Sequence, residues 1–289
     1  AGVGKTRLAV EAARRTLVEC VRRCREHGLT SIRVRARAEQ AELHAQVAAL
    51  RGQTRFLYFH VMGEPLLHPD LPELLDIAGR MGFRVVLTTN GTLLPKRQRE
   101  LLAAQALHKV SVSLHSFEAN SGVDMEHYLA GCTDFGLAAS EAGILIDYRL
   151  WNLDGAETRG RNEQNDAILN HLHAAYPGNW TQNTWGWRLR DRTFIHYGEK
   201  FDWPSPDAPD HGEAGTCRAL RDQLAVLCDG TVVPCCLDGE GCIPLGNLLA
   251  QPLDEILAAE PARSIAAGFA LQKRLHPLCR RCGYAQRFR

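Results

Sequence analysis

The stretch RFLYFHVMGEPLLHPDLPELLDIAGRMGFRVVLTTNGTLLPKRQRELLAAQALHKVSVSLHS, residues 55–116, decides the fold class. RFLYFHV (55–61), FRVVLTT (83–89) and KVSVSLHS (109–116) are short runs rich in Val, Leu and Phe, the composition of strands that bury both faces. Between them, LPELLDIAGRMG (71–82) and KRQRELLAAQAL (96–107) repeat apolar residues at three- and four-residue spacing, which predicts helices, and Gly82 stops the first. Strand, helix and strand in this rhythm make parallel βαβ units. The rhythm continues downstream in MEHYLAGCTDFGLAASEAG (125–143), a helix, and ILIDYRLWN (144–152), a strand. Upstream, AELHAQVAAL (41–50) reads as another helix. Four strong β/α units predict an α/β fold with a parallel sheet, a barrel or an open part of one.

The flanks read differently. Residues 1–35 form an atypical helical N-terminal segment: 1–28 read as one helix, in which VEAARRTLVECVRRCREHG (10–28) has helical apolar spacing, many Arg and Gly28 as a stop. GVGKT (2–6) is similar to the end of a phosphate-binding loop, but the first Gly of that motif and the preceding strand are missing, so no such site is assigned. Residues 36–152 carry the β/α units. Residues 153–216, rich in Trp and Pro, read as an irregular connector completing the barrel, with one short helix at AILNHLHAAY (167–176). Residues 217–289 form a small cysteine-rich α+β extension. In it LAVLCDGTVVPCC (224–236) is a hairpin around Asp229-Gly230, and LDEILAAE (253–260) a short helix.

With 289 residues the chain can bury a core without disulfides. Lys plus Arg number 34 and Asp plus Glu 33, and this near-neutral balance gives no electrostatic case for nucleic acid or an anionic membrane as partner. No apolar run approaches the ~18 residues of a membrane span and no signal peptide is visible, so the expected compartment is the cytoplasm. Ten Cys without secretory features point to metal or redox chemistry. Cys20 and Cys24 lie near the start, Cys132 stands alone and reads as a buried packing thiol, and the other seven fall between 217 and 282.

Two segments carry chemistry. Met62-Gly63-Glu64-Pro65 follows a strand; Gly63 allows close backbone approach, and Glu64 is a strand-end carboxylate able to accept from a ligand ammonium. A tight turn with a solvated Glu is the plainer reading of those four residues. Asn90, Ser113 and His115 end the next strands on the same rim. In the tail, Cys217, twelve residues, Gly230, four residues and Cys235 precede Cys279-x-x-Cys282. A Cys-x-x-Cys turn with a second pair from a hairpin gives four thiolates, as tetrahedral iron–sulfur or zinc coordination needs. Cys236 can replace Cys235, while Cys228 and Cys242 read as spares or packing residues.

These segments together resemble a radical S-adenosylmethionine (radical SAM) enzyme with a SPASM or Twitch-type C-terminal extension, over roughly residues 40–289. The resemblance implies a partial (β/α)6 barrel. It places the methionine amino group of S-adenosylmethionine on Met62, Gly63, Glu64 and Pro65, its ribose and carboxylate on Asn90, Ser113 and His115, and one auxiliary [4Fe-4S] cluster on the tail. It also implies radical modification of a peptide or small molecule, and a reductant protein such as flavodoxin or ferredoxin. The family's radical cluster sits on Cys-x-x-x-Cys-x-x-Cys. Here Cys20, Cys24 and His27 occupy those places, one thiol short and within the segment read as helix. The expectation is therefore a chain that does not cleave S-adenosylmethionine reductively. Two rival readings follow: a catalytically dead relative serving as an iron–sulfur or electron-transfer module, and a zinc-binding tail on an inactive barrel.

Overall fold

Hydrophobic strand cores and amphipathic helices alternate along the chain as the periodicities require. The computed structural model describes residues 31–34, 54–119, 124–153 and 163–288. The expected helices at 1–28 and 41–50, and the positions of Cys20, Cys24 and His27, lie outside the described residues. Within them, β1 (Ser31–Val34) is followed by β2 (Phe56–Phe59), α1 (Leu71–Arg80), β3 (Arg84–Thr89), α2 (Leu94–Ala103), β4 (Leu107–Ser113), α3 (Met125–Glu141), β5 (Leu145–Leu153) and α4 (Glu163–Ala175). Next come β6 (Thr181–Asn183), β7 (Gly186–Arg190), β8 (Thr193–Glu199), β9 (Gln223–Val226), β10 (Thr231–Val233) and β11 (Gly246–Asn247). Three short helices close the chain: α5 (Leu253–Ala258), α6 (Ala262–Ala270) and α7 (Pro277–Arg280).

The chain divides into two compact units. One holds the described residues up to Gly63, Asp76–Arg84 and those from Phe201 onward. Its strands run in the order β11-β10-β9-β1-β2, with β1 parallel to both β2 and β9, and the β9–β10 hairpin antiparallel. Asp229 and Gly230 turn that hairpin: Gly230 has φ 87°, and the Asp229 carboxylate accepts from the Thr231 amide at 3.0 Å. The residues 31–34, placed by the sequence reading in a helical segment, are a strand. Ser-Ile-Arg-Val is too short for its period to show, and two parallel neighbours supply the ladder that a local reading cannot see.

The other unit holds Glu64–Leu75 and Val85–Lys200. Its strands run β3-β4-β5-β8-β7-β6, parallel from β3 through β8 and antiparallel beyond. The segment read as irregular therefore contains α4 and three strands. It escaped detection because its β7–β8 turn is Asp191-Arg192, with no Gly: Arg192 itself takes the left-handed φ of 58°. Tyr148 on β5 is completely buried, and its hydroxyl meets that of Tyr176 at 2.7 Å and the Cys132 carbonyl at 3.2 Å. A Cβ at Gly136 would lie 2.0 Å from that hydroxyl, so only glycine fits under it. Cys132 is fully buried, as its reading as a packing thiol requires. Among the described residues no helix is long and apolar enough to cross a membrane.

Candidate functional site

Glu64 is where the β/α unit begins its chemistry. It caps the short 3-10 turn Pro65–Leu67, and Pro65 at the first position fixes that turn. Its carboxylate accepts from the Leu66 amide at 3.0 Å, the Thr89 hydroxyl at 2.8 Å and the Asn90 amide at 2.7 Å. The solvated-carboxylate reading is therefore wrong. Burial raises its carboxyl above the ordinary range, against the opposing pull of the Asn90 and Leu66 amides and the Thr89 hydroxyl. Every donor it meets among the described residues is neutral, so a ligand ammonium would supply the missing positive charge, and a carboxylate has lone pairs to spare for it.

Asn90 does not reach outward as a simple polar finger. Its Oδ1 accepts from the Thr92 amide at 2.9 Å and hydroxyl at 2.7 Å, and its carbonyl accepts from Tyr128 at 2.7 Å. Gly91, at φ 87°, completes this turn; a Cβ there would stand 2.7 Å from Cys132 Sγ. Ser113 ends β4 opposite Arg149 in register. His115 is not on the strand as expected: the chain turns into a 3-10 helix at Leu114, and His115 Nδ1 contacts the Arg149 carbonyl at 3.0 Å. In the unit that contains the tail, Val61 and Gly63 both take φ 99°, and Met62 packs where a Cβ on Gly239 would be 2.4 Å away. Gly239 thus leaves room for Met62.

Sequence reasoning missed the polar face of β4, β5 and β8. Alternate residues point one way along a strand, and here they are Lys109 and Ser111, Asp147 and Arg149, and His196. Asp147 is 2 % exposed. Lys109 Nζ lies 2.7 Å from it, Arg149 Nε 3.3 Å and His196 Nδ1 2.5 Å. Burial alone would raise the Asp147 carboxyl; His196, Arg149 and Lys109 outweigh it and hold the group well below the usual carboxylate range. Arg149 also lies over the Trp151 ring, 4.8 Å from its centroid. The period-2 polar pattern Asp147, Arg149 inside an apolar strand was the available signal.

In the other unit, Cys217, Cys235, Cys279 and Cys282 line one largely apolar cavity with Pro204, Phe269 and Leu278. Cys279 sits on α7, whose N-cap is His276, and Cys282 follows directly. Neighbouring backbone amides favour the thiolates: those of Ala219 and Arg218 pull the Cys217 thiol down, that of Leu237 pulls Cys235 down, and those of Ala285 and Tyr284 do so for Cys282. Burial raises all four thiols, Cys279 to about 12, and for three of them the neighbouring thiols raise them further. Cys236 points elsewhere, packing against Val61, Ala225, Leu227 and Val233. Among the described residues no group of His, Cys, Asp and Glu converges tightly enough for a single metal ion.

Two family descriptions match this chain: the radical SAM superfamily over residues 20–129, starting at Cys20, and the SPASM iron-sulfur cluster-binding domain over 217–283. The chain belongs to the radical SAM superfamily and carries its SPASM extension, and the cofactors of these domains are [4Fe-4S] clusters and S-adenosylmethionine. It is similar to the tungsten-containing aldehyde ferredoxin oxidoreductase cofactor-modifying protein of Pyrococcus furiosus, 31% identical over 34% of this chain and 26% of that one. It is also similar to the Fe-coproporphyrin III synthase of Methanosarcina barkeri, 44% identical over 30% of this chain and 22% of that one. These matches span only about a quarter of the relatives' length. Among solved structures, Streptococcus suis SuiB bound to S-adenosylmethionine aligns with a TM-score of 0.55 at 12% identity, covering 92% of this chain and 73% of that one. The fold is the partial β/α barrel of that class with a small cysteine-rich tail. The four tail thiols fit a cubane: all line one cavity, and neighbouring backbone amides favour the thiolate at three of them.

Proposed function

We propose that this chain is a cytoplasmic S-adenosylmethionine-dependent modifying enzyme acting on a peptide or small molecule, with one auxiliary [4Fe-4S] cluster on Cys217, Cys235, Cys279 and Cys282. The observation that carries this reading is the gathering of those four thiols around one cavity, in a chain whose other unit offers a half-buried carboxylate with no cationic partner among the described residues, at a strand end. When bound, the cluster and S-adenosylmethionine supply one-electron chemistry; the chain's residues bind, orient and exclude water. Glu64 takes the ammonium of S-adenosylmethionine. Thr89 and Asn90 hold Glu64 in place, and Arg149, beside Ser113, offers a guanidinium for a carboxylate. The similar proteins support a modifying role through their names, and SuiB is also solved bound to precursor peptide SuiA. A flavodoxin- or ferredoxin-like protein would supply the electron.

Cys20 and Cys24 provide two thiols for the radical cluster. The sequence reading found one thiol too few and expected no reductive cleavage. The superfamily match that begins at Cys20 favours His27 as the third ligand, since imidazole ligates iron–sulfur clusters elsewhere. Anaerobic incubation with S-adenosylmethionine and dithionite should then yield 5′-deoxyadenosine, lost on Cys24→Ala. Absence of the nucleoside from a chain that still binds S-adenosylmethionine would instead support the dead relative.

Binding is tested separately. A charge-assisted hydrogen bond is worth roughly 1.5–3 kcal/mol, so Glu64→Gln should weaken S-adenosylmethionine binding about ten- to a hundredfold. Titration calorimetry giving equal affinities for the two proteins would remove Glu64 from the site.

A further inference from the structure

Arg274 is a cation buried where cations are rarely left alone. The residue is 3 % exposed, and its Nε and Nη1 are buried with no hydrogen-bond partner among the described residues. Its position is fixed by a short antiparallel contact. Ala214 bridges Lys273, the Arg274 amide donates to the Glu213 carbonyl at 2.6 Å, and the Gly215 amide donates to the Gln272 carbonyl at 2.8 Å. The one arm with a partner, Nη2, donates to the Ala214 carbonyl. A Cβ on Gly215 would stand 2.8–3.0 Å from the guanidinium, so Gly215 lets the fork lie flat on the backbone. Cys217 follows two residues later, and the hydroxyl of the intervening Thr216 ties this segment to the Phe269 carbonyl at 2.9 Å, beside the thiol cavity.

An isolated guanidinium taken out of water is costly unless an acceptor, better an anion, meets it. Its five N–H groups project in a fixed plane and cannot rotate away. The anion this place can supply is the tail cluster with its four thiolates. The guanidinium covers Gly215, two residues before the first of those thiolates.

We propose that Arg274 donates N–H···S hydrogen bonds from Nε and Nη1 to the sulfurs of the tail cluster and holds its reduction potential up. The proposal rests on the cluster assignment above and adds a positioning and tuning residue that is not itself a ligand. Reduction adds one negative charge to the cluster, and a buried cation beside it favours that state; hydrogen bonds to cluster sulfur act the same way.

The direct test uses the anaerobically reconstituted wild-type chain with 15N in the guanidinium nitrogens of arginine only, so that backbone amides such as that of Arg218 stay silent. Pulsed EPR of the reduced tail cluster should show a 15N hyperfine coupling, absent in Arg274→Lys and retained in Arg221→Ala, whose guanidinium is exposed. In potentiometric titration, Arg274→Met should shift the one-electron reduction equilibrium at least tenfold towards the oxidised form, about 59 mV. Arg274→Lys, which keeps the charge and loses the fork, should fall between. If Arg274→Met does not hold iron, the wild-type nitrogen coupling decides alone. Full iron content without that coupling, or an unchanged potential in an iron-loaded Arg274→Met, overturns the proposal and leaves the cluster standing. A tail without iron overturns both.

Discussion

Replacing Cys279 and Cys282 together by Ala is expected to remove about four iron and four sulfide per chain and to unfold much of the tail. The two residues lie on and just after α7, one face of the cavity that Cys217 and Cys235 complete. Cluster ligation is folding free energy, because no preformed site exists in the unfolded chain; structural metal sites contribute on the order of 10 kcal/mol. The tail has little else to replace it: its helices α5, α6 and α7 are short, and β10 and β11 have three and two residues. Limited proteolysis should therefore cut within 217–289 of the double variant and spare the wild type. A double variant with full iron and equal resistance would show that other ligands hold the cluster.

The second large effect belongs to Asp147. Its carboxylate faces Lys109, Arg149 and His196, and Asp147→Asn would leave those groups without their anion. Removing one partner of a buried ion pair costs about 3–5 kcal/mol. The lower end applies here, since Lys109, Arg149 and His196 side chains keep 18–26% of their exposure. For a chain of this size that is a fall in Tm of roughly 6–12 °C. The pH dependence has a definite sign. A carboxyl held low in the folded state contributes stability that is present above its unfolded value, near 3.9, and lost as pH falls through the folded value. The gap in urea midpoint between wild type and Asp147→Asn should be full at pH 7 and shrink below about pH 4. Equal midpoints at pH 7 would show that the cluster of charges is not stabilising.

Local signals were the legible ones. Met62-Gly63-Glu64-Pro65, the Asp229-Gly230 hairpin and Cys279-x-x-Cys282 each declare themselves within a few residues, and the strands 55–61, 83–89 and 144–152 follow from composition. What stayed hidden depends on partners distant in sequence. Thr89 and Tyr128 belong to the Glu64–Asn90 rim because they bond across 25 and 38 residues. Asp147 and His196 meet only once β8 lies beside β5, and β8 itself was masked by a hairpin turning at Arg192 rather than at a glycine. Arg274 reads as one more surface arginine until the fold buries it. The choice between Cys235 and Cys236 is likewise tertiary: both lie in the turn after β10, and the first lines the thiol cavity while the second packs into the Val61 core.

The most direct measurement is the iron and sulfide content, with Mössbauer spectrum, of the Cys20→Ala, Cys24→Ala chain after anaerobic reconstitution. The tail's four thiols should then hold a cluster without help from the N-terminal segment. About four iron and four sulfide per chain in a single [4Fe-4S] signal is the predicted result. A chain that holds zinc alone, or no metal, would contradict the account.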